Sequence, residues 1–182
     1  MLRIATTAML AATLGACASV SPPLNADNFL MRVPQGSRLV LKQEIVIPER
    51  WARVAIQDGK VLADRRDIDR SRGYCELQTD RVSRADDLNV VKPDTFETGV
   101  ESRPWLNAQS GPWIVAATMI IPEHGKSDRI FRTKIPLASA AQPSVKRLVC
   151  EYTENPVFYQ HLTINQIRAI LGELFELQLA GT

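Results

Sequence analysis

Between residues 38 and 154 the chain breaks into short runs of β-branched and apolar residues, each stopped within a few positions by proline, glycine or a charged cluster. That recurrence favours an all-β architecture over any helical one, because runs so brief cannot support helices of several turns. Arg38 to Lys42 and Glu44 to Ile47 are the first two runs, and Pro48 ends the second or marks an edge. Ala52 to Ile56 leads into Gln57-Asp58-Gly59-Lys60, where Asp-Gly between strand-like flanks predicts a tight hairpin. Further runs surround Cys75, Val90 and Phe96, and two longer ones span residues 111–122 and 129–137. The first of these is apolar on both faces (Trp113, Val115 and Met119 on one, Ile114, Ala116 and Ile120 on the other), which predicts a central strand. Lys146 to Tyr152 adds another.

One helix stands out against this background. Thr163-Ile164-Asn165-Gln166 has capping-box spacing, and Ile164, Ile167 and Ile170 recur on one face before Gly172 ends the run. Phe175, Leu177 and Leu179 then alternate as a final strand. The expected fold is mainly β: a β-sandwich or partly open β-barrel of about seven to nine strands with one short C-terminal helix.

The N-terminus reads differently. Arg3 precedes a run of apolar and small residues from Ile4 to Ala16, the order of a secretory signal. Ser19, Ser21 and the Pro22-Pro23 pair cut the run short of the roughly 20 apolar residues that a membrane span requires. Leu14-Gly15-Ala16-Cys17 resembles the lipobox of bacterial lipoproteins. The resemblance implies cleavage before Cys17 and acylation of its thiol and new amino group, with several chains giving stable anchoring at about 0.8 kcal/mol per buried methylene. Cleavage at an ordinary Ala-x-Ala-like site, with Cys17 a bystander, is the alternative. Ala18 after the cysteine, by the same resemblance, favours the outer membrane. Residues 1–16 are therefore expected to be the signal, 17–28 a lipidated tether, and 29–182 one β-rich domain facing the periplasm.

With Cys17 set apart, Cys75 and Cys150 remain, each within a strand-like segment. In an oxidising compartment an even pair reads as a disulfide, with two buried thiols as the competing state. No CxxC or nearby histidine gives either cysteine metal-ligand spacing, so no metal site is expected.

Charge narrows the partners. Twenty-two Lys plus Arg stand against 20 Asp plus Glu, too even for a nucleic-acid binder. The segment from Asp64 to Arg72 mixes both signs and suits an exposed loop better than a polyanion site. His124 sits in an expected turn and His161 just before the helix, neither with a ligand-spaced companion. Asp86, Asp87 and Asp94 fit turns, and Glu173 and Glu176 fit a surface. No nucleophile elbow, phosphate loop or zinc-protease motif occurs. Neither an enzyme nor a cofactor is expected. Trp51, Trp105 and Trp113 suit either the core or a recognition surface. Trp105 and Trp113 flank an Asn- and Ser-bearing loop and form the candidate interaction surface.

Residues 34–41, Ile47-Pro48, residues 53–59, Tyr74-Cys75, residues 92–96, residues 148–150 and residues 167–172 together resemble a family of small proteobacterial lipoproteins of uncharacterised activity. The resemblance implies the lipid anchor and the paired cysteines. This chain departs from it at Glu49-Arg50, where members carry a glycine, and the departure bears only on that turn. The expected role is a membrane-anchored structural or protein-interaction module with an envelope protein as partner. The alternative is a lipoprotein that binds a soluble ligand in an inter-sheet cleft or on a tryptophan-lined loop.

Overall fold

A computed structural model describes residues 25–107, 129–154 and 160–181. Within it, period-two alternation settles which side of each strand is buried. In β1 (Arg38–Leu41), Leu39 and Leu41 turn inward and Arg38 outward. β2 (Ile45–Val46) buries only Ile45. β3 (Arg53–Gln57) and β4 (Lys60–Leu62) form the expected hairpin. Its turn residues Asp58 and Gly59 have φ of 52° and 71°, as a primed two-residue turn requires. β5 (Tyr74–Thr79), β6 (Val90–Val91), β7 (Asp94–Thr98) and β8 (Trp105–Asn107) follow. The two long strands β9 (Arg129–Ala138) and β10 (Val145–Glu154) pair along almost their whole length.

All pairings are antiparallel, and the main sheet runs β11-β1-β7-β9-β10-β5-β3-β4. It curls into a half-barrel, so of the two expected architectures the partly open barrel is the one formed. The expected strands around residues 44–47 and 88–92 shrink to the two-residue ribbon β2–β6, which stands apart from the main sheet. The expected central strand over 111–122 lies outside the described residues. β7 and β8 follow one another along the same side of β9. Thr98 faces Leu137 whereas Ser102 faces Lys134, so the β7–β8 side carries one extra residue. This is a bulge, and it bends the chain there. Gly99 sits at the bulge because a Cβ would lie 2.9 Å from the Pro136 ring.

The helix α1 (Ile164–Leu171) fills the hollow of the curl. Thr163 and Gln166 make both arms of the capping box, at 3.1 and 2.8 Å. Ile164, Ile167 and Leu171 are fully buried with Leu39, Ile56, Leu77, Phe96 and Leu148. Gly172 stops the helix at φ 55°, and β11 (Phe175–Gln178) then pairs with β1. The helix thus touches β11 at one edge of the sheet and β3 near the other. Its end is fixed to the β3–β4 turn, where the Gly59 amide donates to the Ile170 carbonyl at 2.9 Å. At another turn Arg50 takes φ 67°, a conformation that glycine adopts without steric cost.

Candidate functional site

Cys75 and Cys150 face each other directly across β5 and β10 and form a disulfide, closing the pair that sequence left between bonded and free. Both are fully buried on the concave side. Their Cα atoms are 4.0 Å apart, nearer the close, non-hydrogen-bonded kind of antiparallel pair than the wider one. The bond joins the middle of the sheet and leaves its edges to other contacts. Cys17, Trp113 and His124 lie outside the described residues.

The convex face carries an arrangement that sequence reasoning missed. Alternation places Tyr74 and Glu76 of β5 and Glu151 of β10 opposite the core, yet all three are buried. The charged segment 64–72 covers part of this face. Asp64 caps a 3₁₀ turn over Arg65–Asp67 by accepting from the Arg66 amide, and hydrogen bonds from Arg66 hold its carboxyl near a pKa of about 2. The turn directs Arg65 inward to Glu76 at 2.6 Å, with Arg53 at 3.6 Å on the same carboxylate. Beside them Glu151 accepts from the Tyr74 hydroxyl at 2.5 Å and from Arg132 Nε at 2.6 Å. Burial, then the carboxylate of Glu151, pushes the Tyr74 hydroxyl well above its usual range. The hydrogen bond ties β5 to β10 on the convex face.

Above Glu76 lies Trp51, 43% exposed, with the guanidinium groups of Arg53 and Arg65 at 5.5 and 5.8 Å from its ring centroid. Those distances are within cation–π range, and Glu76 holds the two cations there from below. Trp51 does not stand alone. Its carbonyl accepts from the Ser83 amide at 2.8 Å, which brings exposed Val82 beside it. The Ile47 amide donates to the Asn89 carbonyl at 2.9 Å, setting exposed Val46 and Leu88 on the same pair of segments. An open cleft of about 630 Å³ adjoins, lined by Trp51, Asp64, Arg65, Arg66, Ile68 and Arg70. The signal that could have revealed this patch is the pairing of Trp51 with Arg53, two positions apart at a strand entrance.

Trp105, the described member of the expected surface, is 53% exposed. It lies on β8, with the Arg129 guanidinium 4.9 Å from its ring centroid. It pairs in register with Phe131, whose ring meets His161 edge-on at 5.3 Å. Burial and the charges of Arg103 and Arg32 depress the His161 pKa to about 4, and its Nδ1 is buried without a hydrogen-bond partner. No nucleophile adjoins it among these contacts. Arg103 fastens residues 29–31 to this end of the sheet by donating to the carbonyls of Phe29 and Met31. Glu101, buried at the bulge, pairs with Arg103 and accepts from the Val33 amide at 2.6 Å.

Register fixes how the two tryptophans relate. Arg53 is level with Gln78, Arg147 and Pro136, whereas Trp105 is level with Phe131 and Tyr152. Trp51 and Trp105 therefore mark opposite ends of the strands. The remaining acidic candidates do not converge. Asp87 pairs with Arg81, Glu176 pairs with Lys42, and Asp94 accepts from Ser139, whose hydroxyl lowers its pKa. Among the described residues no three His, Cys, Asp or Glu side chains gather in a metal-ligating group. Comparison with family models, curated proteins and solved structures finds no match.

Proposed function

We propose that the chain is an envelope lipoprotein, held by acylated Cys17 on the periplasmic side of the outer membrane, whose domain is a protein-interaction module. The observation that carries this is exposed Trp51, set against arginines that a buried carboxylate holds in place, with exposed Val82, Val46 and Leu88 on the adjoining hydrogen-bonded segments. Tryptophan and arginine are both enriched among the residues that dominate protein interfaces, and here one tryptophan stands against two arginines. Four exposed apolar side chains on adjoining segments suit a partner surface better than bulk water. The partner is an envelope protein, and the role involves no catalysis and no cofactor.

A soluble-ligand cleft between sheets has less support. The hollow of the single curled sheet holds α1 and fully buried aliphatic side chains such as Ile56, Leu77 and Ile167.

The test is crosslinking in the native envelope from a photoreactive residue at position 82, with position 178, exposed on β11, as reference. A discrete adduct from position 82 that Trp51→Ala weakens at least about fivefold is expected, since a truncated interface tryptophan commonly costs more than 1 kcal/mol. Equal, diffuse labelling from both positions would sink the proposal. Mass measurement of the N-terminal peptide tests the anchor separately: a mature N-terminus other than lipid-modified Cys17 removes it.

A further inference from the structure

The end of the sheet opposite Trp51 exposes Phe29 (38%), Leu30 (71%), Trp105 (53%) and Leu106 (40%). Two independent strands of chain supply these residues. Phe29 and Leu30 belong to the segment that enters the domain, and Trp105 and Leu106 to the two sides of β8. Arg103 ties them together, since its guanidinium holds the Phe29 and Met31 carbonyls two residues before Trp105. The same end receives the N-terminal segment, with the Asn165 amide donating to the Ala26 carbonyl at 3.2 Å.

Asn25 stands eight positions after Cys17. Eight residues reach at most about 28 Å when fully extended. A chain acylated at Cys17 therefore keeps this end of the domain within that distance of the bilayer. The composition suits such a neighbour. Tryptophan and phenylalanine favour the polar–apolar boundary of a membrane, and arginines beside them meet lipid phosphates. Arg129 lies over the Trp105 ring, where a cation can serve the aromatic face and the headgroup layer together. Confinement by so short a tether raises the effective concentration of the surface, so even weak affinity for lipid is enough to hold an orientation.

We propose that Phe29, Leu30, Trp105 and Leu106 form a membrane-docking face that rests on the phospholipid surface of the anchoring bilayer, leaving the Trp51 patch pointing away from it. This rests on the lipid anchor assigned above. It adds a second, non-covalent contact with lipid and a fixed orientation of the domain.

The experiment uses the full lipidated protein reconstituted in vesicles of phosphatidylcholine with a minor share of phosphatidylglycerol, with and without phosphatidylcholine brominated near the headgroup. One variant keeps Trp105 alone (Trp51→Phe with Trp113→Phe) and the other keeps Trp51 alone (Trp105→Phe with Trp113→Phe). Brominated lipid is expected to lower Trp105 emission about twofold and to leave Trp51 emission almost unchanged, because only an interfacial ring meets the bromines. Leu30→Asp with Leu106→Asp, both at exposed positions, should restore most of the Trp105 emission while the protein still floats with the vesicles. Protein that floats but shows equal quenching of the two tryptophans, or quenching of Trp51 alone, overturns the docking face and leaves the anchor standing. Protein that fails to float overturns the anchor, and the docking face with it.

Discussion

Gly59 and Gly172 meet backbone to backbone across the open side of the curl: a Cβ on Gly172 would lie 2.5 Å from the Gly59 Cα. One glycine belongs to the β3–β4 turn and the other precedes β11, so this contact joins the two ends of the strand order. A Cβ is excluded at Gly172, and at Gly59 it would press to 3.2 Å from the Gly172 Cα. The half-barrel is closed by backbone contact at its edges and by the Cys75–Cys150 bond at its centre.

Gly172→Ala should therefore destabilise the protein more than its backbone angle alone explains. At φ 55° and ψ −139° the backbone lies in a region open essentially to glycine alone, which costs an L-residue about 1–3 kcal/mol, and the collision with Gly59 adds to it. Gly181→Ala is the control, with φ 80° and nothing within 4 Å of the added carbon. Urea denaturation should show a loss of about 3 kcal/mol for the first and about 1 kcal/mol for the second. Equal losses would mean that the edge contact adds nothing.

Replacing Cys75 and Cys150 by alanine should lower stability by about 4 kcal/mol, the chain-entropy cost of opening a loop with a sequence separation of 75. Because both sulfurs are fully buried, reduction of the native protein should proceed at the rate of opening. Free-thiol appearance under mild reductant should then become independent of reductant concentration once that concentration is high.

Tyr74→Phe should cost about 1.5–3 kcal/mol, the range for a lost hydrogen bond to a charged group, since Glu151 keeps only Arg132. A double-mutant cycle with Glu151→Gln measures the coupling. Independent, additive effects would show that the hydroxyl and carboxylate do not support one another.

His161 predicts an acid-side loss of stability. Its pKa falls to about 4 in the folded protein from 6.5. The unfolded chain therefore takes up this proton first as pH drops. The stability is complete above pH 6.5 and declines as pH falls toward 4. Partial exposure of the ring limits the effect to about 1–2 kcal/mol. His161→Phe, keeping a ring against Phe131, should flatten the stability profile over that interval.

Arg50→Gly should raise stability by up to about 1 kcal/mol by removing the strain of φ 67°. A melting temperature below that of the parent would show that the Arg50 side chain contributes more than its backbone costs.

Local signals in the sequence were legible because each is decided within a few residues. Asp58-Gly59 prescribes its own turn, Thr163 and Gln166 their own cap, and alternation in β1, β7, β9 and β11 the buried side. Curvature was not legible: alternation says which face is covered and nothing about whether a second sheet or a helix covers it. The acids of the convex face were hidden for a related reason. Glu76 and Glu151 occupy positions where exposure is the default, and only the long-range reach of Arg65 and Arg132 brings them cover. Segment 64–72 was read as a solvated loop, which holds for Arg66 but not for Arg65. Trp105 needed the β9 register before its place opposite Phe131 could be known.

The central disulfide also has a mechanical meaning. When the chain is pulled at its ends, a covalent rung between Cys75 and Cys150 takes the intervening chain out of the load path. Pulled from its two termini, the oxidised molecule should release about 270 Å less contour length than the reduced one, at some 3.6 Å per residue. Tension entering from the N-terminal side meets the Asn165 contacts with Ala26 and Asp27 first, and then the Arg103 fastening of residues 29–31.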